Sequence, residues 1–135
     1  MSKKFILRFD GCSKGNPGPA GAGAVLYDPY EKEIWSGHDF VGKKETNNVA
    51  EYNGLIIGLR EAISQNIYCL HVEGDSLLVI KQMRGEYKVK SENLFSLYEE
   101  AKKLEKKFVS VTYHHIPRNK NVVADKLAND AIKLS

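Results

Sequence analysis

The sequence predicts an α/β fold, a five-stranded mixed sheet with helices packed on it. Two observations carry that expectation. Up to Val41 the chain reads as three strand-like segments, the first alternating apolar and polar side chains and the second glycine-rich at its start, divided by turns rich in Gly and Pro, the pattern of a β-meander. From Asn48 onward the apolar period lengthens to that of a helix, and helices and strands then alternate to the C-terminus.

Phe5, Leu7 and Phe9 alternate with Ile6, Arg8 and Asp10, a strand expected to end at Asp10. Gly11 to Pro19, rich in Gly and Pro, reads as a turn. Gly21 to Tyr27 is the second strand, Asp28-Pro29-Tyr30 a turn, and Glu33 to Val41 the third strand. Tyr52, Leu55, Ile56, Leu59 and Ile63 recur at helical spacing, so a helix runs from Asn48 to near Gln65-Asn66, with Asn47 or Asn48 available to cap it. Tyr68 to Glu73 is the fourth strand, interrupted at Gly74 and followed by a short helix from Ser76 to Gly85. Leu94, Leu97, Tyr98, Ala101 and Leu104 mark a helix from Ser91, and Val109, Val111 and Tyr113 a fifth strand. Asn121 to Leu134 closes the chain as a helix with Asn121 as its expected cap.

At 135 residues, 42% apolar and 27% charged, the chain reads as one globular domain over residues 1–135, long enough to bury a core. No apolar run approaches the length of a membrane-spanning helix. The start Met1-Ser2-Lys3-Lys4 has no signal-peptide core, so an intracellular, cytoplasmic and free-standing protein is expected. Cys12 and Cys69 are too few and too irregular for a disulfide framework or a zinc site, and Cys69, in an apolar run, is expected to be buried. The net charge of +3 permits a polyanionic partner without requiring one. A monomer with no obligate protein partner is the expectation.

Four acids stand where a folded domain disfavours them. Asp10 and Asp75 each close an apolar strand, the end at which open sheets place their ligand sites. Glu51 shares the helix face of Leu55 and Leu59, the side that packs on the sheet. Asp125 lies in the first turn of the last helix, where it could equally serve the helix dipole. Glu51 could be a boundary residue, and Asp10 could open the turn with Gly11. Carboxylates brought together out of water need a cation, and four converging ones describe a two-metal site for phosphoryl chemistry.

With their flanking residues, the four acids resemble one family. Phe9-Asp10-Gly11-Cys12-Ser13-Lys14-Gly15-Asn16-Pro17-Gly18-Pro19, Thr46-Asn47-Asn48-Val49-Ala50-Glu51, Glu73-Gly74-Asp75-Ser76 and Asn121-Val122-Val123-Ala124-Asp125-Lys126-Leu127-Ala128 are similar, in order and spacing, to the four signatures of type 1 ribonuclease H. The resemblance covers essentially the whole chain and implies a ribonuclease H-like fold. It implies endonucleolytic cutting of the RNA strand of an RNA–DNA hybrid, with 5′-phosphate and 3′-hydroxyl ends. It also implies two Mg²⁺ or Mn²⁺ ions held by Asp10, Glu51, Asp75 and Asp125 as the catalytic carboxylates. Oxygen-only ligation suits those hard cations.

Discrimination of RNA rests on its 2′-hydroxyl. A tight Gly11-Cys12-Ser13 turn can present backbone groups to the minor groove, and the resemblance implies that Asn16 and Asn48 touch the hybrid. Asn16, with the adjacent prolines, is also readable as a turn residue. Lys44 and Thr46 match two members of a pocket for one DNA phosphate, and Lys90 falls near the third; a lysine supplies charge there without the fork of an arginine. Lys88 and Lys90 are equally readable as solvated lysines.

The chain departs from the family pattern in two places. A basic, Trp-rich protrusion carried by some bacterial members is missing, because Gly85 to Asn93 is short and the one tryptophan is Trp35. Modest, steeply salt-dependent affinity for the hybrid is therefore expected. Many members also carry a mobile His ahead of the fourth acid. Here an ungapped count places His115 in that role, whereas matching Ile116-Pro117 to the strand end puts His115 on the strand, shortens the loop to Arg118-Asn119-Lys120 and leaves Arg118 to assist. The second alignment is preferred. A catalytically silent nucleic-acid-binding domain, a DNA-cutting resolvase or integrase core, and a domain of a reverse transcriptase polyprotein are the competing classes. The four acids and the two Asn- and Gly-rich blocks disfavour the first two.

Overall fold

In the computed structural model, which describes residues 4–135, the meander comprises β1 (Phe5–Ser13), β2 (Gly18–Tyr27) and β3 (Glu33–Glu45). It is followed by α1 (Asn47–Ser64), β4 (Cys69–Gly74), α2 (Leu77–Met83), α3 (Glu92–Glu105), β5 (Ser110–His115), a 3-10 turn at Arg118–Lys120 and α4 (Val122–Lys133). The expectation drawn from Met1-Ser2-Lys3 lies outside the described residues.

The five strands form one sheet in the order β3-β2-β1-β4-β5. β1 is antiparallel to β2 and parallel to β4, which is parallel to β5, so the sheet is mixed as expected. Parallel neighbours need a crossover, and α1 supplies one and α2 with α3 the other.

Strand alternation puts Leu7, Phe9, Leu70, Val72 and Tyr113 on one face, buried against Tyr52, Leu55, Ile56 and Leu59 of α1. Opposite them, α4 packs over β2 and β1. It rests on bare backbone, since a Cβ at Gly21 would lie 2.2 Å from Ala128 O and one at Gly23 would lie 2.5 Å from Ala124 O.

Several local expectations change. β1 does not stop at Asp10: Gly11, Cys12 and Ser13 pair with Ala22, Gly21 and Ala20 of β2. The turn shrinks to the residues between Ser13 and Gly18, with Gly15 at φ +115°. Gly11 resembles a turn glycine, but its missing side chain makes room for α1. β3 runs on past Val41 to Glu45, helped by register shifts against Gly18 to Gly21.

The cap of α1 is Thr46, whose Oγ1 accepts from Val49 N at 3.2 Å, and neither Asn47 nor Asn48 serves. Asn121 precedes α4 without a side-chain cap bond, because its amide is turned toward β1. Cys69 is half-buried rather than buried, since it opens β4 at the sheet's end. No helix among the described residues is long and apolar enough to cross a membrane.

Candidate active site

β1 and β4 are adjacent and parallel, so the ends of their apolar runs meet. Asp10 on β1 thereby comes close to Asp75, which follows β4 and precedes Ser76, the cap of α2. Glu51, on the buried face of α1, approaches the same point from above the sheet. Oxygens of Asp10, Glu51 and Asp75 lie within 4.8 Å of one another. Asp125, in the first turn of α4, lines the same cleft of roughly 480 Å³ but stands outside that tight group.

Asp10 is 4% exposed and Glu51 8%. Burial, and then the charge of Asp75, push the Asp10 carboxyl up to about 7, although Gly11 N donates to its Oδ1 at 2.9 Å. Burial first, then the charges of Asp10 and Asp75, hold Glu51 well above the usual carboxylate range. Glu51 Oε1 is buried without a hydrogen-bond partner. Among the described residues no ion pair reaches the trio: Arg118 Nη2 is 3.9 Å from Asp125 Oδ1, and it is largely exposed. An orphaned carboxylate oxygen within an all-oxygen donor set fits a hard divalent cation.

The other sequence-predicted residues divide into two groups. Gly11, Cys12, Ser13, His115 and Arg118 line the cleft with the acids. Ser13 is already engaged, its amide donating to Asn47 Oδ1 at 2.7 Å and its hydroxyl to Glu45 O at 2.7 Å. His115 is the last residue of β5, and its Nε2 lies 3.2 Å from Asp75 O. The preferred alignment put it on that strand, with Arg118 to Lys120 as the short loop, here a 3-10 turn.

Asn16, Lys44, Thr46, Asn48 and Lys90 do not line the cleft. Asn16, in the left-handed region at φ +34°, accepts from Asn47 N through Oδ1 at 3.0 Å and so ties the turn to α1. Lys44 and Lys90 are exposed, and Asn48 is half-buried in the first turn of α1.

Three further residues line the cleft: Lys14, Asn47 and Pro117. Lys14 Nζ reaches Asn129 Oδ1 at 2.5 Å, bridging the turn to α4. Its place inside the first signature was a usable signal. Asn47 likewise stands inside the second signature, but its bridge from Ser13 to Asn16 depends on long-range contact that no local pattern records.

A reverse-transcriptase-like family model matches residues 8–131. The chain is 43% identical over 129 residues to the bifunctional protein Rv2228c of Mycobacterium tuberculosis, covering 96% of this chain and 35% of that protein. It is 39% identical over 124 residues to ribonuclease HI of Halobacterium salinarum, covering 92% of this chain and 62% of that one. The chain thus spans from about a third to under two thirds of these relatives' length. It is also 33% identical to a ribonuclease H of Dechloromonas aromatica, over 90% of that protein.

Among solved structures, the N-terminal RNase H domain of Rv2228c superposes with a TM-score of 0.94 at 42% identity, covering 98% of this chain and 96% of that one. LC11-RNase H1 in complex with an RNA/DNA hybrid superposes at 0.91 and 36% identity, covering 98% and 100%. A likeness that runs from β1 through α4, in sequence as well as in fold, places this chain in the type 1 ribonuclease H family.

Proposed function

We propose that this chain is an endoribonuclease that hydrolyses the RNA strand of RNA–DNA hybrids, leaving 5′-phosphate and 3′-hydroxyl ends. The observation that carries the reading is the convergence of buried Asp10 and Glu51 with half-buried Asp75, held together with Glu51 Oε1 unpartnered. Bound there, two Mg²⁺ or Mn²⁺ ions would supply Lewis acidity at the attacking water and at the leaving 3′-oxygen.

Asp10 lies with Glu51 and Asp75 in the trio, and Asp125 lines the same cleft. Asp125 forms the fourth corner. The Gly11–Cys12 backbone lines the cleft and can face the minor groove, where a 2′-hydroxyl distinguishes RNA. Ser13, Asn16 and Asn47 hold that edge rigid through their mutual hydrogen bonds. Lys44, Thr46 and Lys90 receive a phosphate of the DNA strand, with Asn48 beside the hybrid. His115 or Arg118 assists at the leaving group. The free thiols of Cys12 and Cys69 accord with a reducing, cytoplasmic setting, and the protein acts as a monomer.

The test is cleavage of matched RNA–DNA, RNA–RNA, DNA–DNA and single-stranded RNA substrates with Mg²⁺, Mn²⁺ or EDTA. Metal-dependent cutting confined to the RNA of the hybrid is expected. Hybrid binding without cutting would replace the reading with a silent binding domain, and cutting of duplex DNA would replace it with a DNA nuclease.

A further inference from the structure

Asn121 is a buried polar residue that the chemistry above leaves unused. It is 1% exposed and stands immediately before α4. Its Nδ2 donates to Phe9 O at 2.9 Å, and its own carbonyl accepts from Asp125 N at 3.0 Å. One residue thus links the peptide beside Asp10 to the amide of Asp125. Its Oδ1 is buried without a partner.

At a helix start, Asn ordinarily caps the first turn, and an unpaired buried amide oxygen is unfavourable. Asn121 forgoes the cap and leaves Oδ1 unpaired while holding Phe9 O. The packing of α4 gives a reason. Its backbone lies on Gly21 and Gly23, contacts that set how closely the helix approaches the sheet. Such contacts are weakly directional and leave sliding and rotation open. A directional hydrogen bond at the end bearing Asp125 removes that freedom.

We infer that Asn121 is a positioning residue that holds Asp125 opposite Asp10 and so completes the metal-binding carboxylate set. The inference rests on the hybrid-cleaving reading, and it makes α4 part of the site rather than a cover on the sheet.

The experiment compares wild type, Asn121→Ala, Asn121→Ser, Asp125→Asn and the Asn121→Ala/Asp125→Asn pair. Melting temperature is followed in EDTA and across an Mn²⁺ titration, together with kcat and KM on a hybrid. Asn121→Ala is expected to lower kcat about ten- to a hundredfold and to raise the Mn²⁺ needed for thermal stabilisation by a similar factor. KM stays within about twofold, because substrate contacts are intact. Asn121→Ser retains a short donor and recovers part of both losses; it carries the measurement if the alanine variant does not fold. Adding Asn121→Ala to Asp125→Asn costs nothing further, since both act through one carboxylate.

A lower melting temperature in EDTA with normal metal titration and turnover would overturn the inference and leave Asn121 a packing residue. So would losses that multiply in the double variant. If the wild-type chain cuts no hybrid, the functional reading fails, while the Mn²⁺ titration still decides whether Asn121 and Asp125 act together.

Discussion

Gly11 is pressed against the peptide that joins Ala50 to Glu51: a Cβ on Gly11 would lie 2.2 Å from Ala50 C and 2.3 Å from Glu51 N. Both obstacles are helix backbone and cannot swing aside. The contact sets the distance between the strand that carries Asp10 and the helix that carries Glu51.

Gly11→Ala therefore forces α1 outward. Overpacking of this kind costs about 1–3 kcal/mol, read from denaturant unfolding. Displacing Glu51 by roughly an ångström lowers cleavage by about a hundredfold even well below the melting temperature. Full turnover in a folded Gly11→Ala protein would show that the spacing does not matter.

Asp10→Asn abolishes cleavage and makes the metal-free protein more stable at pH 8. The sign follows from a carboxyl whose folded pKa is raised from 3.8 to about 7. Below the unfolded value both states are protonated and there is no penalty. As pH rises toward 7 the unfolded state ionises first, stability falls, and the penalty is complete above 7. Removing it raises the melting temperature in EDTA at pH 8 by about 3 °C or more, with little change at pH 4. Mg²⁺ should stabilise the wild type and much less so the variant. Retained Mg²⁺-dependent cutting would remove Asp10 from the metal set.

Lys44→Ala is expected to raise KM while leaving kcat near wild type. It should also lower the slope of log affinity against log salt by about one, the signature of one lost phosphate contact. Thr46 needs a different comparison, because it caps α1. Thr46→Ala costs about 1 kcal/mol through the cap alone, so Thr46→Ser, which keeps the hydroxyl, separates hybrid contact from folding.

His115→Ala is expected to lower kcat by less than about tenfold. The imidazole lies against Asp75 O, a contact that steadies the strand end beside the acid. A loss of about a hundredfold or more, with the alkaline or acid limb of the pH–rate profile removed, would mark it as a proton-transfer group.

Hydrophobic period and spacing are local properties, and the elements they govern were legible in order. Leu7 and Phe9, and likewise Leu55 and Leu59, announce their buried faces through side chains only two or four positions apart. The signatures around Asp10, Glu51, Asp75 and Asp125 are contiguous words, so family and fold class could be read with them. Residues whose role depends on a distant partner were misread. Gly11 to Ser13 carry turn chemistry yet pair along β2, and Asn121 has the residue type of a cap yet binds Phe9 O.

By itself, then, the sequence determined a mixed α/β sheet, its helices and its family, and it singled out four candidate acids, because each is written in neighbouring side chains. Only the tertiary structure decided which carboxylates crowd together and how far burial raises Asp10 and Glu51. It also decided that Thr46 rather than Asn47 caps α1, and that Asn121 ties α4 to β1. Desolvation, backbone contact at glycines and hydrogen bonds between residues such as Phe9 and Asn121 arise only after the chain has closed on itself, which is why no local pattern records them.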